Sequence, residues 1–183
     1  REWRLFGEYV SDYLLPSEKK LDTPFFFEFD VWKQQRVGIK TNGVNPQTSK
    51  IVRHFIGSPE WVANIQSTDA EAMNSFYLRV AEGLGEKTEK TTNDKQIDGI
   101  KRMLAQQVYA QAIEALRKAV VNNETISETE KAAIKAGVLA GGENTHSLDV
   151  LVAMGFQKDA EAKANGAPYS FTSSIMGEVE GVA

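Results

Sequence analysis

Residues 31–59 hold Lys33, Arg36, Lys40, Lys50 and Arg53 and no Asp or Glu. Asn45, Pro46, Gln47, Thr48 and Ser49 stand in the middle of that run. Guanidinium and ammonium groups free of nearby carboxylates suit phosphate oxygens, through charge-assisted hydrogen bonds. Asn45-Pro46 also has the form of a helix N-cap followed by proline at the first helical position. Such a helix start adds unpaired N–H groups and the positive dipole end. At the far end the chain reads Gly177-Glu178-Val179-Glu180-Gly181-Val182-Ala183. Glu178 and Glu180 alternate, so on a strand they share one side. Carboxylates at a strand end can hold Mg²⁺, which takes oxygen ligands and keeps several waters. Cations for phosphates and acids for a metal are what a polyphosphate-handling site requires. The plain alternatives are a solvated helix face for the first group and an exposed terminal strand for the second.

The other chemistry-bearing residues offer less. His54 and His146 lack acidic companions at ligand spacing. Thr172-Ser173-Ser174 has no nucleophile-elbow glycines, and Gly141-Gly142 lacks a dinucleotide fingerprint. The phenylalanines of 25–29 read as core rather than as a platform for bases. There is no cysteine, so disulfides and thiolate metal sites are excluded.

The elements that must position these groups follow from periodicity. The pattern at 3–15 is helical up to Pro16. Residues 25–32 are aromatic-rich and predict a mostly buried strand, with a second strand over 37–40 and a turn signal at Asn42-Gly43. A helix is expected from Pro46 to Ile56, and a short one over 61–65 after Ser58-Pro59-Glu60. Thr68-Asp69-Ala70-Glu71 has capping-box form ahead of a helix over 73–84. Residues 84–94 read as a mobile loop. Ile97, Ile100, Leu104, Val108, Ala112, Leu116 and Val120 step by three and four, which predicts one long helix ended by Asn122-Asn123. Ser127-Glu128-Thr129-Glu130 is a second capping box, for a helix over 131–140. Helices over 147–154 and 157–164 follow, then a strand over 168–175. The predicted class is α+β, mostly helical with a small antiparallel sheet.

The bulk properties frame this. The chain has 183 residues, 42% of them hydrophobic and 25% charged, with a net charge of −4. That suits a single region able to bury a core. The acidic balance argues against a general nucleic-acid coat, so the basic run is a local exception. No stretch of about 18 apolar residues spans a membrane. Both ends read as cut, so the chain is expected to be a fragment of something longer or a processed product.

Arg36, then Asn45-Pro46-Gln47-Thr48-Ser49-Lys50-Ile51-Val52-Arg53, resembles the start of the palm in phage-type single-subunit DNA-directed RNA polymerases, in particular the virion-packaged branch. In that family an arginine closes a short motif on a strand. An Asn-Pro-Gln turn follows about eight residues later, then a long helical stretch, then a strand bearing the first catalytic aspartate and a glycine. Residues 47–167 and 175–181 stand in the corresponding places, so the resemblance covers about 25–183. It implies that Arg36 contacts phosphate or sugar beside the template–product duplex, and that Asn45, Pro46 and Gln47 shape the supporting turn. Lys40, Lys50 and Arg53 would add cations for nucleic acid. Glu180 would be a metal-binding carboxylate, and the Gly181 carbonyl a second ligand for Mg²⁺.

The implied function is two-metal nucleotidyl transfer on a phage template, performed only as part of a longer chain. The implied partners are DNA template, nucleoside triphosphates and the rest of the polymerase, and the implied location is the phage virion, then host cytoplasm. The chain departs from the family pattern at Glu180, where the family has aspartate. It departs again at Trp32, where the arginine motif begins with an acidic or polar residue. The nucleotide-selecting helix and the second catalytic aspartate would follow Ala183. Two rival readings carry no catalysis: a helical virion or interaction module descended from a polymerase, and a nucleic-acid-binding module built on the 31–59 cations.

Overall fold

The computed structural model describes residues 4, 28–40, 62–86, 93–142 and 146–175. The chain divides into two compact units, Arg1–Ser58 and Pro59–Ala183. The helices expected over 3–15 and 46–56, the Asn42-Gly43 turn and the acidic strand at 177–181 lie outside the described residues. So does most of the loop expected near 84–94.

In the first unit, strands β1 (Phe29–Val31) and β2 (Val37–Ile39) pair antiparallel, with Phe29 opposite Ile39 and Val31 opposite Val37. The expectation of a second strand over 37–40 holds. The expectation of a buried strand over 25–32 fails where it can be seen. Phe29 and Val31 are 62% and 67% exposed, and their neighbour Val37 is 63% exposed. Aromatic and β-branched content sets strand propensity, but burial depends on what covers the face, which composition does not specify.

The second unit begins with β3 (Ala63–Gln66), which pairs antiparallel with β4 (Ser170–Ser173) near its end. The short helix expected over 61–65 is therefore corrected to a strand. Long-range pairing decides it: Ile65 lies opposite Phe171, and both are buried. The pairing continues beyond β3, where the Ser67 amide donates to the Tyr169 carbonyl at 2.8 Å and the Tyr169 amide to Ser67 Oγ at 2.9 Å. Helix α1 (Ala70–Gly83) follows. Its cap is Asp69, which accepts from the Ala72 amide at 3.0 Å, and not Thr68 as the four-residue signature suggests. Phe76, Tyr77, Val80 and Ala81 are buried on one stripe, and Phe76 meets Phe171 edge-on at 4.9 Å.

The long helix expected over 97–120 is broken into α2 (Asn93–Leu104), α3 (Gln107–Leu116) and a π-helical turn, Arg117–Val121. Gln106 leaves helical geometry at φ −61°, ψ 144°. The apolar stripe crosses the break because Leu104 and Tyr109 are buried in the same core. Asn123, at φ 55°, ends the run as expected. The capping box at Ser127 and Glu130 forms in full and starts α4 (Glu128–Ala140), which stops at Gly141. Gly137 of α4 lies so close to α3 that an added Cβ would collide with the Ala112 Cβ.

The two helices expected in 147–164 are a single one, α5 (His146–Ala164). Gly155 does not break it. It is buried against the π turn, where a Cβ would lie 3.4 Å from the Arg117 amide nitrogen. Arg117 also bonds Glu114 Oε1 at 2.8 Å and Asp159 Oδ1 at 3.3 Å, tying the turn to α5. The Glu114 and Asp159 carboxyls are held below the usual range, Glu114 first by its bond to Arg117 and Asp159 first by its bond to Lys163. The α+β reading stands, with two small antiparallel sheets among the described residues.

Candidate nucleic-acid interface

The site is built on the head of the β1–β2 hairpin. The Gln35 amide donates to the Trp32 carbonyl at 2.9 Å, and the Trp32 amide donates to the Arg36 carbonyl at 2.9 Å. Gln35 sits at φ 58°. These contacts describe a three-residue loop, 33–35, closed by a left-handed residue, a common hairpin connection. Glycine is the usual occupant of such a position. The strain of a non-glycine residue is here placed directly before Arg36.

Register then sorts the side chains. Trp32 and Arg36 face each other across the strands, one pair beyond Val31 and Val37. Alternation puts Asp30, Trp32, Arg36, Gly38 and Lys40 on one face and Phe29, Val31, Val37 and Ile39 on the other. Trp32 lies across Gly38: a Cβ on that glycine would collide with the indole ring, 2.6 Å from Nε1. Arg36 is exposed, and its guanidinium joins none of the ion pairs seen among the described residues.

Lys40 is placed differently. Its amide donates to the Glu28 carbonyl at 2.8 Å and its Nζ lies 3.3 Å from Glu28 Oε1. Glu28 falls three residues outside the carboxylate-free run, so a count along the chain misses it. Hairpin register brings it opposite Lys40 and offsets part of that cation. Both groups are exposed, so the pair is weak. The face thus offers Lys33 and Arg36 at the head, the exposed Asp30 carboxylate between, and a partly compensated Lys40 at the base. Asn45, Gln47, Lys50, Arg53, Glu180 and Gly181 lie outside the described residues. Arg36 and Glu180 belong to different units.

The second unit has its own concavity, about 240 Å³, lined by Tyr77, Lys101, Leu104, Met154, Lys158 and Glu161. Lys101 Nζ stands 5.2 Å from the Tyr77 ring centre. Burial pushes the Tyr77 hydroxyl up to about 12. Lys158 is paired with Glu161 at 2.9 Å, which leaves little net charge for an anion. Among the described residues no group of three or more His, Asp or Glu is placed to hold a metal ion, and no helix is long and apolar enough to cross a membrane.

Against this geometry, residues 3–56 match a family described as virion DNA-directed RNA polymerase domain. That segment is similar to a domain of the virion RNA polymerases. The match contains Arg36 and the whole run from Asn45 to Arg53, the residues that carry the resemblance. It also coincides closely with the first compact unit, Arg1–Ser58. It ends before β3, so the second unit and Glu180 lie outside it. No curated protein and no solved structure gives a significant match. The similarity of this segment points to an RNA polymerase-related, virion-associated context.

Proposed function

We propose that this chain supplies the start of a palm in a DNA-directed RNA polymerase, with Arg36 holding phosphate or sugar of the template–product duplex. The observation that carries this reading is the coincidence of the matched family segment with a unit whose hairpin head exposes Arg36. Asn45 and Gln47 would shape the next turn, and Lys50 and Arg53 would extend the cationic track. Glu180 and the Gly181 carbonyl would be ligands for Mg²⁺, which in nucleotidyl transfer stabilises the attacking and leaving oxygens. Template DNA and nucleoside triphosphates are the partners, and the work would pass from the virion to the host cytoplasm.

The test is Mg²⁺-dependent nucleotide incorporation by the reading frame that carries this segment. Arg36→Ala should lower the rate by about 100-fold or more, the usual cost of removing one charge-stabilising group at a reacting centre. Glu180→Ala should abolish incorporation, and Glu180→Asp should keep part of it. Rates equal to the parent in both Ala variants would remove the catalytic reading.

One observation favours a second reading. The matched segment is a unit by itself, while the helical body follows it without a match. A polymerase-derived nucleic-acid-binding unit joined to an interaction body would give salt-dependent oligonucleotide binding and no incorporation.

A further inference from the structure

We infer that Trp32 is a stacking platform for a base of a single-stranded nucleic acid whose phosphate is held by Arg36. The inference rests on the reading of this hairpin face as a nucleic-acid contact. Four observations carry it. Trp32 is 50% exposed although it is the largest side chain on its face. It is seated over Gly38, where no other residue type leaves room for the ring. It stands directly across from Arg36, held by the backbone bond from its own amide to the Arg36 carbonyl. The Arg36 side chain is exposed beside it.

These features fit one ligand chemistry. An indole whose one face rests on a glycine has its other face open and little rotamer freedom left to lose. A flat, sequence-tolerant surface of this kind takes any nucleobase. A guanidinium on the same side takes the adjoining phosphate by paired hydrogen bonds. A duplex keeps its bases stacked on each other, so the base offered to Trp32 must come from an unpaired stretch adjoining the duplex that Arg36 contacts. Lys33 in the adjacent loop adds charge along the backbone path, and the Glu28–Lys40 pair closes the other end of the face. The same tryptophan is what departs from the polar residue expected at the start of the arginine motif. Stacking gives that departure a physical sense, since an aromatic surface replaces a hydrogen-bonding side chain.

The experiment measures binding of the 183-residue chain to a thymidylate oligonucleotide of about 16 nucleotides, the upper site size of a single-strand-binding module, and to an abasic strand of equal charge, at several salt concentrations. The parent should prefer the base-bearing strand. Trp32→Leu, which keeps apolar cover over Gly38 but has no ring, should weaken thymidylate binding about 5- to 100-fold, the size of one lost base–aromatic stack. It should also erase the preference over the abasic strand and leave the salt slope unchanged. Trp32→Phe should retain most of the affinity, which separates stacking from loss of fold. Arg36→Ala should weaken both strands alike and flatten the salt slope by about one contact.

Parent-like binding in Trp32→Leu, with Arg36→Ala weakened, overturns the stacking role and leaves the phosphate contact standing. Equal losses in Trp32→Phe and Trp32→Leu also overturn it, because the indole would then serve only the hairpin. Parent-like binding in both Trp32→Leu and Arg36→Ala removes the nucleic-acid reading of this face along with the platform.

Discussion

The hairpin at 28–40 and the helical body at 62–175 solve opposite problems. In the body, apolar stripes are covered and even polar groups are buried: Ser147 and Gln157 have no exposure, and Asp159 has 5%. Each is tied down. Ser147 Oγ is within bonding distance of the Gly83 and Gly141 carbonyls, at 3.2 and 3.3 Å. The Gln157 amide nitrogen donates to Tyr169 Oη at 2.6 Å. In the hairpin, Phe29, Val31 and Val37 face outward, and the turn holds a strained residue beside the one arginine of interest. The hairpin is exposed and locally strained where the body is covered and bonded. The lesson is that the residues proposed to contact nucleic acid lie where packing is thinnest, as expected for sites carried on loops and edges.

The contrast can be broken by mutation, starting with the largest effect. Leu151→Ala removes a fully buried side chain and should cost about 2–5 kcal/mol. Val31→Ala, at an exposed site, should cost less than about 0.5 kcal/mol. Denaturant midpoints on the two variants check the pair, and comparable losses would mean that the hairpin face is covered in solution.

Next is the cap of α4. Ser127→Ala should cost about 1 kcal/mol, read as a lower melting temperature of the body. The Glu130 carboxyl is held down to about 2, first by the bond from Lys118 Nζ at 2.8 Å and then by the Ser127 amide. A carboxyl lowered in the folded chain contributes stability above its ordinary value of 4.5 and loses it as pH falls toward 2. The melting temperature should therefore drop across that window, and Glu130→Gln should flatten the drop. An unchanged acid profile in Glu130→Gln would assign the acid sensitivity to other carboxylates.

A small effect of opposite sign belongs to Gln35→Gly. It relieves a left-handed non-glycine residue but makes the unfolded chain looser, so the net gain should stay below about 1 kcal/mol. Amide exchange of the β1–β2 pairs, slower in the variant, is the check.

What can be read from the sequence follows the range of the interaction that decides each element. The Ser127–Glu130 box is settled within four residues and is legible in full. Asp69 is legible as part of a cap, though the register within 68–71 is not, because Thr68 and Asp69 can both serve. Residues 61–65 carry a helix-start signal and apolar spacing, yet pairing with Phe171 over a hundred residues away makes a strand of them. The 97–120 stripe hides the break at Ala105-Gln106, since both helices present their apolar side to one core and keep the phase. Gly155 looks like a breaker because its close approach to Arg117 is a tertiary fact.

At the candidate site, Arg36 and its neighbours are legible as a cationic run. The Glu28 partner of Lys40 is not, because opposition across a hairpin does not follow distance along the chain. The role of Trp32 is hidden for the same reason: only the pairing shows that Gly38 lies under it.

The seat of Trp32 on Gly38 makes the two positions one inherited unit. Any side chain at position 38 evicts the ring, and a small residue at position 32 leaves the glycine bare. Descendants of this sequence should therefore exchange both residues together or keep both. A large aromatic at 32 beside a substituted 38 should be found only where the hairpin has changed its pairing.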